Sequence, residues 1–289
     1  MYMKAFIISF LILLTAASLH AQTPEPAVAV AKYHFIYVRD TTQRNIPYTE
    51  EMQLLLAKNA SAYTSLDQRL QQDAMVKEVQ DQVKSAADPN HLNLTITGRR
   101  PVTTEEYYLF RNDHKFFVKQ RLVNDYLIEE PWPSIVWKIT PDTSTINTLH
   151  CQKALAHFKG RDYTAWFCPE LPFQSGPWKL NGLPGLIVQA EDAKKEVIFQ
   201  FKGFEDVSSR SLIVALPDGA VKATRKEFER LQEVQKKDPR AISRLPSTRI
   251  EKSPLDNIDP SKISSINVKA APVAFSKVIN NPIELPDVK

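Results

Sequence analysis

Between residues 33 and 201 short apolar runs follow one another, and most are separated by turn signals rather than by helical stretches. This succession constrains the fold more than any other feature. Residues 33–38 (YHFIYV) are aromatic and β-branched, so they read as a strand. Residues 51–57 and 61–64 read as two more, turning at Lys58-Asn59. Residues 92–97, 105–110, 115–122 and 134–140 continue the series, with turn-formers at Asn112-Asp113 and Pro141-Asp142. Val197, Phe199 and Phe201 alternate with more exposed positions, as a half-buried strand requires. Strands joined by short turns argue for an antiparallel meander rather than a βαβ sheet.

Two helices interrupt the pattern. Ser65-Leu-Asp-Gln68 and Thr224-Arg-Lys-Glu227 are capping-box sequences. Leu66, Leu70, Val76, Val79 and Val83 follow the first at roughly helical spacing; Phe228, Leu231 and Val234 follow the second. Asp88-Pro89 and Asp238-Pro239 close them. The expected fold class is therefore α+β, mostly antiparallel β: one curved meander sheet, its partial closure left open, with two helices.

Beyond Asp238 the composition changes. No glycine follows Gly219, seven prolines fall between Pro239 and Pro286, and Phe275 is the sole aromatic. Such a segment buries too little to offset its ordering entropy. Residues 238–289 are expected to be an extended, flexible tail on a domain spanning about 28–237. The alternative is that 263–268 or 273–279 adds a strand to an open sheet edge.

The start of the chain has the three parts of a secretory leader. Lys4 is the positive n-region, residues 6–14 form the apolar h-region, and Leu19-His20-Ala21 ends in a small residue. The apolar run is shorter than the roughly 20 residues that span a bilayer. Residues 1–21 are thus expected to be a signal peptide cut after Ala21, leaving a mature chain without a transmembrane segment. The formal charge of +4 falls by the single Lys4. With no dense basic run, nucleic acid is not an expected partner.

The most informative stretch runs from His150 to Ala190. It holds four of the seven glycines, and all four tryptophans lie between Trp132 and Trp178. Its first half reads as a hairpin turning at Lys159-Gly160, where glycine supplies a positive φ. That register sets Phe158 opposite Arg161, His157 opposite Asp162, Lys153 opposite Trp166, and Cys151 opposite Cys168. The cysteine pair falls on a non-hydrogen-bonded position, where Cα atoms lie about 4.5 Å apart, within disulfide range. A Cys151–Cys168 bridge is expected in an oxidising compartment. A metal site is not: His150 points away from Cys151, His157 lies roughly 20 Å along the strand, and no CxxC or HExxH spacing occurs. No cofactor is expected. His157 opposite Asp162 has the form of a catalytic dyad, but reads more simply as an exposed pair at a hairpin tip. No G-x-S-x-G elbow or phosphate-binding loop accompanies it. Lys153 is expected to lie over Trp166.

The second half, Gly176-Pro-Trp-Lys-Leu-Asn-Gly-Leu-Pro-Gly-Leu-Ile187, alternates residues that free the backbone with residues that fix it. A compact turn packed on the core is expected, with Gly185 at the φ > 0 position of a type II turn after Pro184.

These residues resemble the GLPGLI family of secreted Bacteroidota proteins. The namesake run stands here as Gly182-Leu-Pro-Gly-Leu-Ile187. The flanking pieces are Cys151 with Lys153 and Ala154, Gly160-Arg-Asp-Tyr163, Ala165-Trp-Phe167 and Gly176-Pro-Trp-Lys179. The resemblance implies a periplasmic, outer-membrane or cell-surface protein and implies no known reaction. The leading expectation is a non-catalytic binding or adaptor protein of the cell envelope, with another envelope protein or an outer-membrane assembly as partner. Its candidate binding residues are Arg161, Asp162, Tyr163, Trp166, Trp178, Gly182, Pro184 and Gly185. The alternative is an envelope hydrolase acting on peptide or glycan.

Overall fold

The structure is a computed structural model that describes residues 23–240, 255–256, 258–271, 275–276 and 278–287. The expected leader lies outside the described residues. In chain order the strands are β1 (Glu25–Pro26), β2 (Ala29–Tyr37), β3 (Tyr48–Leu56), β4 (Ala60–Ser65), β5 (Leu92–Thr97), β6 (Glu106–Phe110), β7 (Lys115–Arg121), β8 (Asp125–Glu130), β9 (Lys138–Ile146), β10 (Leu149–Phe158), β11 (Arg161–Cys168), β12 (Leu186–Asp192), β13 (Val197–Asp206), β14 (Ile213–Val214), β15 (Val221–Ala223) and β16 (Ile263–Lys269). Helix α1 spans Leu66–Ser85 and α2 spans Arg225–Lys237.

Twelve strands form one sheet in the order β15-β8-β7-β6-β4-β3-β2-β13-β12-β11-β10-β9. Every pairing is antiparallel except β15 on β8. The topology is two meanders joined along β2 and β13. One runs outward from β2 to β8, and the other returns from β9 to β13. The link from Glu130 to Lys138 must therefore carry the chain between strands ten steps apart in the sheet. A flat sheet would separate them by about 48 Å, while eight residues reach about 28 Å at most. The sheet is accordingly bent. It is not closed, because β15 and β9 remain unpaired with each other. The partial closure left open by the sequence is not found.

The expected helix starts are present in atomic detail. Ser65 Oγ accepts from the Gln68 amide at 2.9 Å. At α2, Thr224 and Glu227 cap each other reciprocally, and Phe228 buries its ring against Tyr126 and Ile128. Helix α1 is less amphipathic than its apolar spacing suggested. Only Met75 and Val79 are buried, while Leu70 is 49% exposed. The helix rests on β5, itself outside the main sheet.

The main core lies on one face of the bent sheet. Tyr33, Tyr48, Tyr63, Phe167, Trp178 and Phe199 are its large members, packed edge-on or offset. A smaller core on the other face gathers Val30, Tyr108, Phe110 and Phe117 under β1 and β14.

The Pro-rich segment makes ordered contacts over its described residues. Strand β16 pairs in parallel with β5, so the strand-adding alternative for 263–268 is what the structure contains, though on β5 rather than on the main sheet. Phe275 packs edge-on to Tyr48 at 4.9 Å and Ile283 lies against the same main core.

Candidate functional site

The β10–β11 hairpin has the expected register: Phe158 pairs with Arg161, His157 with Asp162 and Lys153 with Trp166. Its turn residues Lys159 and Gly160 both have positive φ, 51° and 70°. Two consecutive left-handed residues are the signature of a type I′ turn, whose twist suits the strands it joins. Side chains then alternate. Arg161, Tyr163, Ala165 and Phe167 face the core and are buried, while Asp162 is exposed and Trp166 half-buried on the other face. Lys153 does lie across from Trp166, but its ammonium turns to Asp142 at 3.2 Å.

This alternation splits the proposed binding residues. A single surface of Arg161, Tyr163, Trp166 and Trp178 does not exist, because three of the four are buried. Trp178 is 2% exposed and contacts Phe158, Tyr163 and Phe199. Its backbone takes a positive φ of 57°, unusual for a bulky residue and maintained by this packing.

The Gly182–Ile187 run is also interior. Leu183, Leu186 and Ile187 are at most 1% exposed, Tyr33 donates its hydroxyl to the Ile187 carbonyl at 2.8 Å, and Trp137 Nε1 donates to the Asn181 carbonyl at 2.8 Å. Gly182 and Pro184 are exposed. The turn differs from the expected type II. The Gly185 amide donates to the Leu183 carbonyl at 2.8 Å, an i to i+2 bond centred on Pro184, as in a γ-turn. Gly185 has φ 155°, and a Cβ there would lie 2.3 Å from the Cys168 carbonyl oxygen. Glycine is required at 185 by this close approach rather than by a type II geometry.

Cys151 and Cys168 flank the Gln152–Phe167 pair at the open end of the hairpin. Both are buried free thiols in this structure. Burial, with Cys168 beside it, pushes the Cys151 thiol up to about 11.

The polar chemistry gathers at the hairpin tip. Arg161 is 3% exposed and spends its donors on five groups. Nη1 reaches Asp192 at 2.7 Å and Glu196 at 3.2 Å. Nη2 reaches the Asn281 side-chain oxygen at 2.7 Å and the Pro282 carbonyl at 2.8 Å, and Nε the Ile283 carbonyl at 2.9 Å. Burial opposes the guanidinium charge, but Asp192 and Glu196 outweigh it and raise the pKa. Lys179, also buried, bridges Glu130 at 2.9 Å and Glu284 at 2.6 Å. Burial pushes the Glu284 carboxyl up, yet Lys179 and Lys159 together hold it below the usual carboxylate range.

His157 and Asp162 meet at 2.7 Å as the dyad reading requires. A third group joins them: Asp287 lies 3.4 Å from the other ring nitrogen. All three side chains are more than half exposed. With carboxylates on both nitrogens the ring pKa is raised, chiefly by Asp162. The imidazole thus sits between two carboxylates, Asp162 the nearer, on an exposed face.

The partners Asp192, Glu196, Asn281 and Glu284 were not singled out from sequence. Asn280-Asn281-Pro282 is a turn-former within the Pro-rich segment, and this was the available signal; its target, about 120 residues away, was not readable. Among the described residues no group of His, Cys, Asp and Glu is arranged to hold a metal ion, and no helix is long and apolar enough to cross a membrane.

A family model described as "Protein of unknown function (Porph_ging)" matches residues 156–189. That stretch runs from the tip of β10 through the Gly182–Ile187 turn, and includes Arg161, Trp178 and Lys179. No curated protein matches the chain. Two crystal structures of PNGF-II, in space groups P21 and C2, are similar over 71% of this chain at 10% identity and a TM-score of 0.47. The chain spans about one third of their length, 33% and 32%.

Proposed function

We propose that this chain is an exported, non-catalytic binding or adaptor protein of the bacterial cell envelope. Its leader is removed after Ala21, and its partner is another envelope protein or an outer-membrane assembly. The resemblance to the GLPGLI family and the three-part leader support the compartment. One observation supports binding: Arg161 and Lys179, both within the family-matched stretch, take hold of a stretch of chain from elsewhere. A guanidinium buried on carbonyl groups recognises a chain and has no bond to break. In an oxidising compartment Cys151 and Cys168 form a disulfide that staples the open end of the hairpin. Both thiols reacting with an alkylating agent in denatured, unreduced envelope material would rule out the staple.

The binding reading is tested by site-specific photo-crosslinking in the producing cell. One photoreactive residue replaces exposed Lys159 at the hairpin tip; a control replaces Asp218, remote in sequence. An envelope protein captured from position 159 and not from 218 is the expected result. Identical patterns from both positions would contradict it, as would a mature protein still beginning at Met1.

A further inference from the structure

Residues 280–287 lie in a groove made of three pieces. One wall is the end of β2 and the residues after it, Tyr37 to Thr41. The other is the hairpin tip, His157 to Arg161. Lys179 closes the far end. Six hydrogen bonds tie the main chain of the segment to these walls. The amides of Asn280 and Asn281 donate to the Arg39 carbonyl at 3.0 and 3.1 Å, and the Leu285 amide donates to the Lys159 carbonyl at 3.0 Å. Tyr37 donates its hydroxyl to the Asn281 carbonyl. Arg161 takes the carbonyls of Pro282 and Ile283. These contacts grip the main chain, which bends at Asn280, Asn281, Ile283 and Glu284, whatever its side chains.

Side chains then set the register. Asn281 is 6% exposed, and its amide group is read at both ends: the oxygen by Arg161, the nitrogen by the Val38 carbonyl at 2.8 Å and Glu196 at 3.1 Å. Charge follows the same direction. Glu284 lies between Lys179 and Lys159, at 2.6 and 3.1 Å. Asp287 accepts from the Gly160 amide at 2.9 Å and faces His157. Arg161, Lys179 and His157 also meet acids of the body, Asp192, Glu196, Glu130 and Asp162, so the attraction specific to the segment rests on Lys159 and Lys179 around Glu284. Gly160 adds a steric requirement, since a Cβ there would come within 2.6–2.7 Å of Leu285.

We propose that this groove is a binding site for an acidic peptide of the form Asn-Pro-apolar-Glu, and that residues 281–284 are its resident occupant in cis. The proposal rests on the binding reading above and gives it a ligand class: a peptide segment of a partner protein that displaces the chain's own. The resident competes at the high effective concentration of a tethered ligand, so the partner sequence gains access where the resident is weakened or the partner abundant.

The test uses the full-length mature protein and a fluorescein-labelled peptide with the sequence of residues 279–287. Asn281→Ala with Glu284→Gln weakens the resident without touching the groove. Fluorescence anisotropy should show the peptide binding this variant at least tenfold more tightly than wild type. Adding Lys159→Ala should weaken that binding several-fold, as should raising the salt concentration. A peptide carrying the same two changes should not bind. A folded resident variant that ignores the peptide would overturn the proposal, leaving the segment as a structural strap. Should the variant not fold, wild type decides: excess unlabelled peptide must accelerate proteolysis of the chain's own C-terminal segment, and no acceleration at any concentration overturns the proposal equally. Either failure leaves the crosslinking test untouched, because a partner may be captured at Lys159 without entering the groove.

Discussion

The stretch from residue 156 to 189 contains two regions held by different physics. From Trp178 to Ile187 the chain is shaped by packing: aromatic rings, buried leucines, and a glycine that permits the backbone to approach Cys168. From His157 to Arg161 it is shaped by polar partners, most of them on residues 280–287. The two are neighbours in space, yet they answer to different perturbations. Damage to the first should cost the fold. Loss of the contacts that Lys159 and His157 make to residues 284 and 287 should loosen the C-terminal segment and leave the fold nearly intact.

The largest expected effect is at Trp178. Trp178→Ala removes a ring buried against Phe158, Tyr163 and Phe199 and should destabilise the protein by about 3–5 kcal/mol. Urea denaturation of the purified mature chain measures it. A loss near zero would mean the ring serves binding instead, and the division between the regions would fail.

Within the turn the glycines provide an internal control. At Gly185 an added Cβ meets backbone of Cys168 and Pro169, which cannot move aside. Gly185→Ala should cost about 2–3 kcal/mol. At Gly182, with φ 91°, an added Cβ meets nothing within 4 Å. Gly182→Ala should cost only the left-handed penalty, about 1 kcal/mol. Equal losses at both would show that backbone conformation alone governs the run.

This contrast also explains what was legible beforehand. The hairpin register followed from Lys159-Gly160, because a tight turn fixes its strands through neighbours alone. The caps at Ser65 and Thr224 were legible for the same reason. The run around Pro184 is legible as a turn but not in its type, since its geometry is imposed by Cys168 on the neighbouring strand. Strand β8 and the full extent of β9 are not legible; the residues of β9 are mostly exposed and carry no alternating pattern. Least legible was the grip on residues 280–287. Arg161 reads as a surface charge until Asp192, Glu196 and Asn281 are brought round it, and no local rule brings them there.

The polar region should respond to pH where the packed region does not. The folded pKa of His157 is raised, so its contribution is complete below the unfolded value of about 6.5 and is lost as pH rises through the folded value. The folded pKa of Glu284 is lowered, so its contribution is present above about 4.3 and is lost as pH falls through the folded value. The segment should be held best at mildly acidic pH. Cleavage of the C-terminal segment by a broad-specificity protease, corrected for the protease's own pH profile, should pass through a minimum there, while global stability changes less. A monotonic profile would remove one of the two groups from the account.

A smaller effect is expected from Lys159→Ala. Its ion pair with Glu284 is part-exposed, with side chains 43% and 35% accessible, and pairs of this kind contribute about 0.2–1 kcal/mol. The change should loosen the segment without altering the denaturation midpoint of the body beyond that range.

Amide hydrogen exchange of the intact mature protein tests the central claim most directly. If the family-matched stretch holds the C-terminal segment, the amides of Asn281 and Leu285 exchange far more slowly than in a free peptide of the same sequence, and Asn281→Ala abolishes that protection while the amides of β11 and β12 keep theirs. Exchange across residues 280–287 at the free-peptide rate, in wild type at neutral or mildly acidic pH, would contradict the account.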